Sequence, residues 1–467
     1  MSVDTIIRGG TVVVPDLEPR QLDVLIKGGT IVGLLADSAG LEAAEVIDAT
    51  GLVVIPGGIE PHVHLGIYQP SDGEWFTETC AAASGGVTTL INYFFHKDSY
   101  FESLPPELEI ARRQAIIDYA MHLGIMTEQH IDEMDAYVRD FEVTSFKFTG
   151  HWKGYEKQRI GSDTRLDDGL LYQTLEKAGK YPNVRIPVHS QNVEISIPPF
   201  AQPHEPHYLK RRTPENVVGL DLWERLNPGF TETEYIFKAL YLAELTGASV
   251  YLVHLSSAET VRILRERLDL TKYNSFGETC AHYLGLTVDS PCGVLAKVNP
   301  PVRREEDQNA LWGALIEGTL STVGTDHCAA RRAIKNADDP DVLKVKLGFP
   351  GMATMLPVLV THGVKKRGMS LTRLAEVFST NSAKIFGLYP KKGTIAVGSD
   401  ADLAIIDLEN PKVASASWIP GASDYSVFEG ESMYGWPART LVRGRTVWQD
   451  GQIKVEGGHG QWLPRRA

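Results

Sequence analysis

His62 and His64 stand two residues apart in Pro61-His62-Val63-His64-Leu65. On an extended strand both imidazoles point to the same side and can chelate one ion. His189 closes the apolar stretch Val184-Arg185-Ile186-Pro187-Val188, His254 closes Val250-Tyr251-Leu252-Val253, and Asp326 closes Thr322-Val323-Gly324-Thr325. Any one of these is as easily a core residue bonded to backbone; the five together have the character of a ligand set. The Asp326 carboxylate can bind metal and also accept a proton from water. Lys147 interrupts Thr144-Ser145-Phe146-Lys147-Phe148-Thr149, where a free ammonium is costly beside apolar walls and bound cations unless it snorkels to solvent. If its amine reacts with carbon dioxide it becomes a carbamate, whose two oxygens suit the joining of two divalent ions. Ions about 3.5–4 Å apart can share a hydroxide, lower its pKa and polarise a carbonyl, which is a route to amide hydrolysis. Asp326 would take the proton of the water and return it to the leaving nitrogen. Imidazole dominates and thiolate is missing, so zinc is the leading metal, with manganese, iron or cobalt able to use the same ligands.

These residues need elements to bring them together. Between residues 57 and 387, eight short apolar strand candidates alternate with helical stretches, at 59–64, 88–93, 121–126, 145–149, 185–189, 249–254, 274–279 and 321–326. The pattern predicts an α/β fold, a (β/α)8 TIM barrel with its active site at the carboxyl ends of the strands. Residues 1–56 and 388–467 carry β-rich pieces between Gly and Asp turns, including 11–14, 24–27, 31–34, 52–55, 401–407 and 440–449. They predict one small β-sandwich domain built from both chain ends. Residues 190–231 carry Pro198, Pro199, Pro203, Pro206 and Pro214, and are expected to leave the barrel as an active-site loop with some helix. Residues 457–467 read as an arm, disordered or docked on a neighbouring subunit.

The composition narrows the function. With 467 residues, 43% hydrophobic and 22% charged, the chain is of ordinary globular character and long enough for a barrel plus a smaller module. Its net charge of −13, from 46 Lys plus Arg against 59 Asp plus Glu, opposes nucleic acid or an anionic membrane as the main partner. Four scattered cysteines favour a reducing compartment over a disulfide framework, and no apolar run approaches a membrane span of about 18 residues. A cytoplasmic location is expected.

The sequence resembles the cyclic amidohydrolases of the amidohydrolase superfamily, the hydantoinases, dihydropyrimidinases, allantoinases and dihydroorotases, over essentially its full length. The likeness rests on the run from Pro56 to Leu65, Ser145-Phe146-Lys147, Val188-His189, the run from Leu252 to Ser257, Asn299-Pro300-Pro301-Val302-Arg303 and Gly324-Thr325-Asp326-His327. It continues through the run from Asn381 to Leu388 and Gly398-Ser399-Asp400-Ala401-Asp402-Leu403. The resemblance implies one ion on His62, His64 and Asp326, a second on His189 and His254, and a carbamylated Lys147 bridging them, with bicarbonate or carbon dioxide supplying the carbamate. It also implies a homotetramer or homodimer, with residues 457–467 as a segment that could cross between subunits, and hydrolytic opening of a small cyclic amide to an N-carbamoyl acid.

His64-Leu65-Gly66-Ile67-Tyr68 lacks the polar residue that dihydroorotases and allantoinases place there. Asp118-Tyr119-Ala120-Met121-His122 and Gly458-His459-Gly460-Gln461-Trp462 resemble hydantoinases and dihydropyrimidinases, the favoured branch. Glu278-Thr279-Cys280-Ala281-His282-Tyr283 and Lys297-Val298-Asn299-Pro300 resemble allantoinases, the alternative; a non-catalytic scaffold is disfavoured because all six ligand positions are filled. The tyrosine that the family carries five residues after the bridging lysine is replaced by Trp152, with Tyr155 three further on. Substrate contacts are expected from Trp152, Tyr155, Asn299 and Gly348.

Overall fold

The computed structural model describes residues 3–15, 17–150, 166–197 and 207–465. Eight strands form the central cylinder: Gly58–Val63 (β1), Val87–Phe94 (β2), Asp118–Gly124 (β3), Phe146–Lys147 (β4), Arg185–Val188 (β5), Ser249–Leu252 (β6), Phe276–Cys280 (β7) and Thr322–Gly324 (β8). β1 to β4 pair in parallel and in order, and so do β5 to β8. Parallel bridges Ser145↔Arg185 and Phe148↔Val188 join β4 to β5, and Val63↔His327 joins β1 to the segment after β8, which closes the (β/α)8 barrel. β1, β3 and β6 are buried along their whole length, as expected where helices cover one side of a parallel sheet and the barrel interior the other.

Strands from both chain ends share one antiparallel-rich sheet, in which Val53–Pro56 pairs with Leu403–Ile406 on one side and with Val3–Val12 on the other. Ile7, Val24, Ile31, Val54, Leu403 and Leu441 give this sheet a core of its own. Residues 440–449 do not form one continuous strand. Pro437–Val442 and Arg445–Gln449 make a hairpin, because Arg443 and Gly444 both take left-handed backbone, at φ 46° and 72°, as a two-residue primed turn requires. The Lys392 ammonium joins sheet to barrel, bonded to Asp402 at 2.6 Å and Asp400 at 2.8 Å and to Asp118 at the start of β3.

The carboxy-terminal arm corrects a second expectation, since its described part lies on its own barrel. Gly458 and Gly460 donate to the Ala115 carbonyl at 3.1 and 2.8 Å, Tyr119 donates to Gln461 at 3.0 Å, and Leu463 donates to Tyr119 at 2.8 Å. Glycine permits this approach, because a Cβ at Gly460 would lie 2.0 Å from the Ile117 carbonyl oxygen. Among the described residues no helix is long and apolar enough to cross a membrane.

Candidate metal centre

The six candidate ligands all sit at the carboxyl ends of barrel strands. His62 lies within β1 and His64 just after it, Lys147 ends β4, His189 follows β5, and His254 and Asp326 lie two residues beyond β6 and β8. His254 and Asp326 take left-handed backbone at φ 44° and 49°, a conformation that non-glycine residues rarely adopt and that concentrates at functional sites. Asp326 Oδ1 is 3.0 Å from His64 Nε2 and 3.2 Å from His62 Nε2, so the three residues offer ligand atoms within 4.8 Å of one another. The His254 ring stands 5.4 Å from that of His62 and 4.5 Å from that of His189, measured between centroids. The Lys147 Nζ lies 4.6 Å from the centroid of the Tyr93 ring, which in turn contacts the rings of His62 and His64. The six therefore cluster at one end of the barrel, with Lys147, His62, His189 and His254 almost wholly buried.

Glu278 organises this group from below. Its Oε1 accepts from His62 Nδ1 at 2.6 Å and from the His254 amide at 3.1 Å, while Oε2 accepts from the Tyr251 hydroxyl at 2.8 Å. Glu60, two residues before His62 and so on the same side of β1, accepts from the His62 amide at 2.8 Å and the Thr325 amide at 3.1 Å. One buried carboxylate thus braces the strained turn at His254 and the other the turn leading into Asp326. Glu278 also fixes the His62 tautomer: with the proton on Nδ1, the Nε2 lone pair faces the Asp326 carboxylate.

That arrangement fits a cation. Burial drives the His62 imidazole down, but the flanking Glu278 and Asp326 carboxylates outweigh it and lift it to about 9, so the site attracts a proton or a metal ion in its place. Burial would raise Asp326, yet His62 and His64 hold it well below the usual carboxylate range. Burial pushes His64, His189 and His254 down, with help from Lys147, and leaves them as the neutral imidazoles that ligate metals. His254 Nδ1 is buried without a hydrogen-bond partner among the described residues, a free donor atom for an ion. A second acidic group, Asp118, Asp400 and Asp402, already surrounds the Lys392 ammonium.

The remaining candidates are placed unevenly. Asn299 is buried and donates through Nδ2 to Gln191 Oε1 at 2.6 Å, the same oxygen that faces His189 Nε2 at 3.0 Å. Gly348 takes φ 78°, donates its amide to Lys297 at 3.1 Å and gives its carbonyl to the Lys335 ammonium. Trp152 and Tyr155 lie outside the described residues. Sequence reasoning assigned no role to Glu60 or Glu278. Each interrupts an apolar strand as Lys147 does, and Glu60 shares the two-residue period of His62; that signal could have found them.

Residues 53–447 match the amidohydrolase family. The chain is 35% identical to the D-hydantoinase of Geobacillus stearothermophilus, over 98% of this chain and 96% of the relative, and 31% identical to the L-hydantoinase of Paenarthrobacter aurescens, over 96% and 95%. Among solved structures it resembles the dihydropyrimidinase of Brevibacillus agri NCHU1002, with a TM-score of 0.87, 32% identity and coverage of 99% and 98% of the two chains. It resembles the D-hydantoinase of Bacillus sp. AR9 equally well, at a TM-score of 0.87, 35% identity and 99% coverage of both. With its barrel, its histidine pair and its end-to-end likeness to these proteins, the chain belongs to the amidohydrolase family, as a cyclic amidohydrolase.

Proposed function

We propose that this protein hydrolyses one amide bond of a cyclic ureide or imide of the hydantoin or dihydropyrimidine type, releasing an N-carbamoyl amino acid. The observation that carries the reading is the convergence of His62, His64, Lys147, His189, His254 and Asp326 at the carboxyl ends of the barrel strands. His62, His64 and Asp326 would hold one divalent ion and His189 and His254 a second, with Lys147, as its carbamate, between them. Bound there, the ions, zinc by the imidazole-rich donor set, supply a lowered water pKa and a polarised ring carbonyl. Burial pushes the Lys147 amine down to about 8 against the pull of Asp326 and Glu278, which supports the carbamate because only the neutral amine attacks carbon dioxide.

Asp326, held ionised by its two histidines, accepts a proton as the water oxygen bonds to the ring carbonyl carbon. It returns that proton to the ring nitrogen as the C–N bond breaks. Asn299 and the backbone around Gly348 would line the ring edge, with Trp152 or Tyr155 shaping the pocket and Tyr155 the candidate donor to the oxyanion. Four free cysteines support a reducing, cytoplasmic setting, and the family resemblance supports a homotetramer or homodimer, which sedimentation of the purified protein reads directly. The test is ring opening by zinc- and bicarbonate-supplied protein on hydantoin, a 5-substituted hydantoin, dihydrouracil, allantoin and dihydroorotate. Turnover of a hydantoin or dihydrouracil is expected; turnover of allantoin alone would move the protein to the allantoinase branch.

A further inference from the structure

The floor of the barrel holds a charged side chain for which the ring-opening chemistry has no use. Arg465 is fully buried, at 0% exposure. Its Nη1 donates to Ser145 Oγ at 2.8 Å, its Nη2 donates to the Met121 carbonyl, and its backbone amide donates to Glu142 at 2.7 Å. Among the described residues no carboxylate pairs with this guanidinium. A buried cation bonded only to neutral acceptors carries a large desolvation cost, so its neighbours are worth following.

From Ser145 the hydrogen bonds continue. Ser145 Oγ lies 2.5 Å from His122 Nδ1, and His122 Nε2 lies 3.0 Å from the Pro61 carbonyl oxygen. The donor sense follows from the two ends of the chain: the arginine cannot accept and the Pro61 carbonyl cannot donate, so a neutral His122 carries its proton on Nε2 and accepts at Nδ1. Ser145 Oγ accepts from the guanidinium and donates its own proton to His122 Nδ1; His122 Nε2–H then donates to Pro61. Burial, with the Arg465 charge beside it, holds the imidazole well below its usual range, which agrees with this neutral tautomer. Pro61 directly precedes His62, and Ser145 stands two residues before Lys147. One directed chain of hydrogen bonds therefore runs from Arg465 through Ser145, just before β4, and His122 in β3 to Pro61 in β1, beside the segments that carry Lys147 on one side and His62 and His64 on the other.

We infer that Arg465 is a positioning residue of the metal centre, acting through Ser145 and His122 to hold the lysine-bearing and histidine-bearing strands at the spacing the ligands need. The inference rests on the metal-centre reading proposed above. It also explains the docking of the arm, because residues 458–463, bonded to Ala115 and Tyr119, deliver the guanidinium to the barrel floor.

The experiment compares full-length wild type with Arg465→Met, Arg465→Lys and Ser145→Ala, each reconstituted with zinc and carbon-13 bicarbonate. Zinc per chain and zinc affinity, the carbamate carbon signal, and kcat and KM on a ring that wild type opens are measured together. Arg465→Met is expected to weaken zinc affinity about tenfold, as loss of an outer partner of ligating residues does, and to lower the carbamate signal. It should lower kcat while KM moves less than about twofold, because the ring-binding face is untouched. Arg465→Lys should restore part of the zinc affinity, and Ser145→Ala, which breaks the chain one bond later, should reproduce the loss. If Arg465→Met does not fold, Ser145→Ala decides the matter alone. Zinc-loaded wild type beside folded variants with unchanged zinc affinity, carbamate and kcat overturns this inference only; wild type that holds no zinc overturns the metal-centre reading and the inference with it.

Discussion

Glu278 accepts from both halves of the site, at His62 and at His254, and its replacement has a calculable cost. In Glu278→Ala three close donors lose their partner, His62 Nδ1, the His254 amide and the Tyr251 hydroxyl, and the Cys280 thiol loses a distant one at 4.0 Å. The Tyr251 hydroxyl can turn to Thr322 Oγ1, already 2.6 Å away. The His62 ring can move its proton to Nε2, where Asp326 accepts it, but that occupies the atom a metal needs. The His254 amide has no such escape, and one orphaned buried donor costs about 1–3 kcal/mol. Metal affinity should fall by about 10–100-fold, or about 1.4–2.7 kcal/mol, as when other outer partners of metal-ligating histidines are removed. In Glu278→Gln the amide oxygen still accepts from His62 and His254 and its nitrogen can donate to Tyr251, so only the charge is lost and the change should sit at the tenfold end. Zinc affinity by chelator competition, with denaturant titration of the zinc-stripped protein, separates the two effects. Wild-type zinc affinity and stability in Glu278→Ala would show that this carboxylate braces neither histidine.

Four further outcomes are expected. Lys147→Ala should hold no more than about one zinc per chain and yield no carbamate carbon signal; a wild-type metal ratio would count against the bridging role. Asp326→Ala should bind zinc weakly and show almost no turnover, and full activity in it would remove the proton-transfer role. Gly58→Ala would place a Cβ 2.3 Å from the Phe378 ring in a buried contact beside β1, an overpacking that should cost about 1–3 kcal/mol in a melting or denaturant experiment. Burial pushes Lys297 down to about 7, and burial together with the Lys297 charge pushes Lys335 to about 7. Both values fall below the unfolded pKa of about 10.4, so between pH 7 and 10 the unfolded chain binds more protons at these two sites and their contribution to stability should rise with pH. A dependence of the urea midpoint on pH that is unchanged in Lys297→Met would contradict this.

The candidate ligands stood out because they lie at or near the ends of apolar strands, where burial makes a polar residue conspicuous. The barrel was legible for the same reason, since its strands are short runs of apolar and β-branched residues at regular spacing. Strand ends were less so: the third strand begins at Asp118, three residues before the apolar stretch at 121–126 that announced it. The hairpin at 437–449 escaped because Arg443 occupies a left-handed position that asparagine or glycine usually marks. Glu278 and Arg465 escaped for a different reason. Their partners lie far away in sequence, 216 residues for Glu278 to His62 and 320 for Arg465 to Ser145, and no local pattern encodes such pairings. A charged residue near a chain end reads as solvated until the fold shows it inside the barrel.

Whether a carbamate-bridged metal pair opens the ring is decided by hydrolysis of a 5-substituted hydantoin by chelator-stripped protein, before and after zinc and bicarbonate are returned together. The stripped protein should show no turnover, an N-carbamoyl product should reappear when both are supplied, and Lys147→Ala should not recover. Full turnover by stripped wild type, or by reconstituted Lys147→Ala, would contradict the metal-centre mechanism.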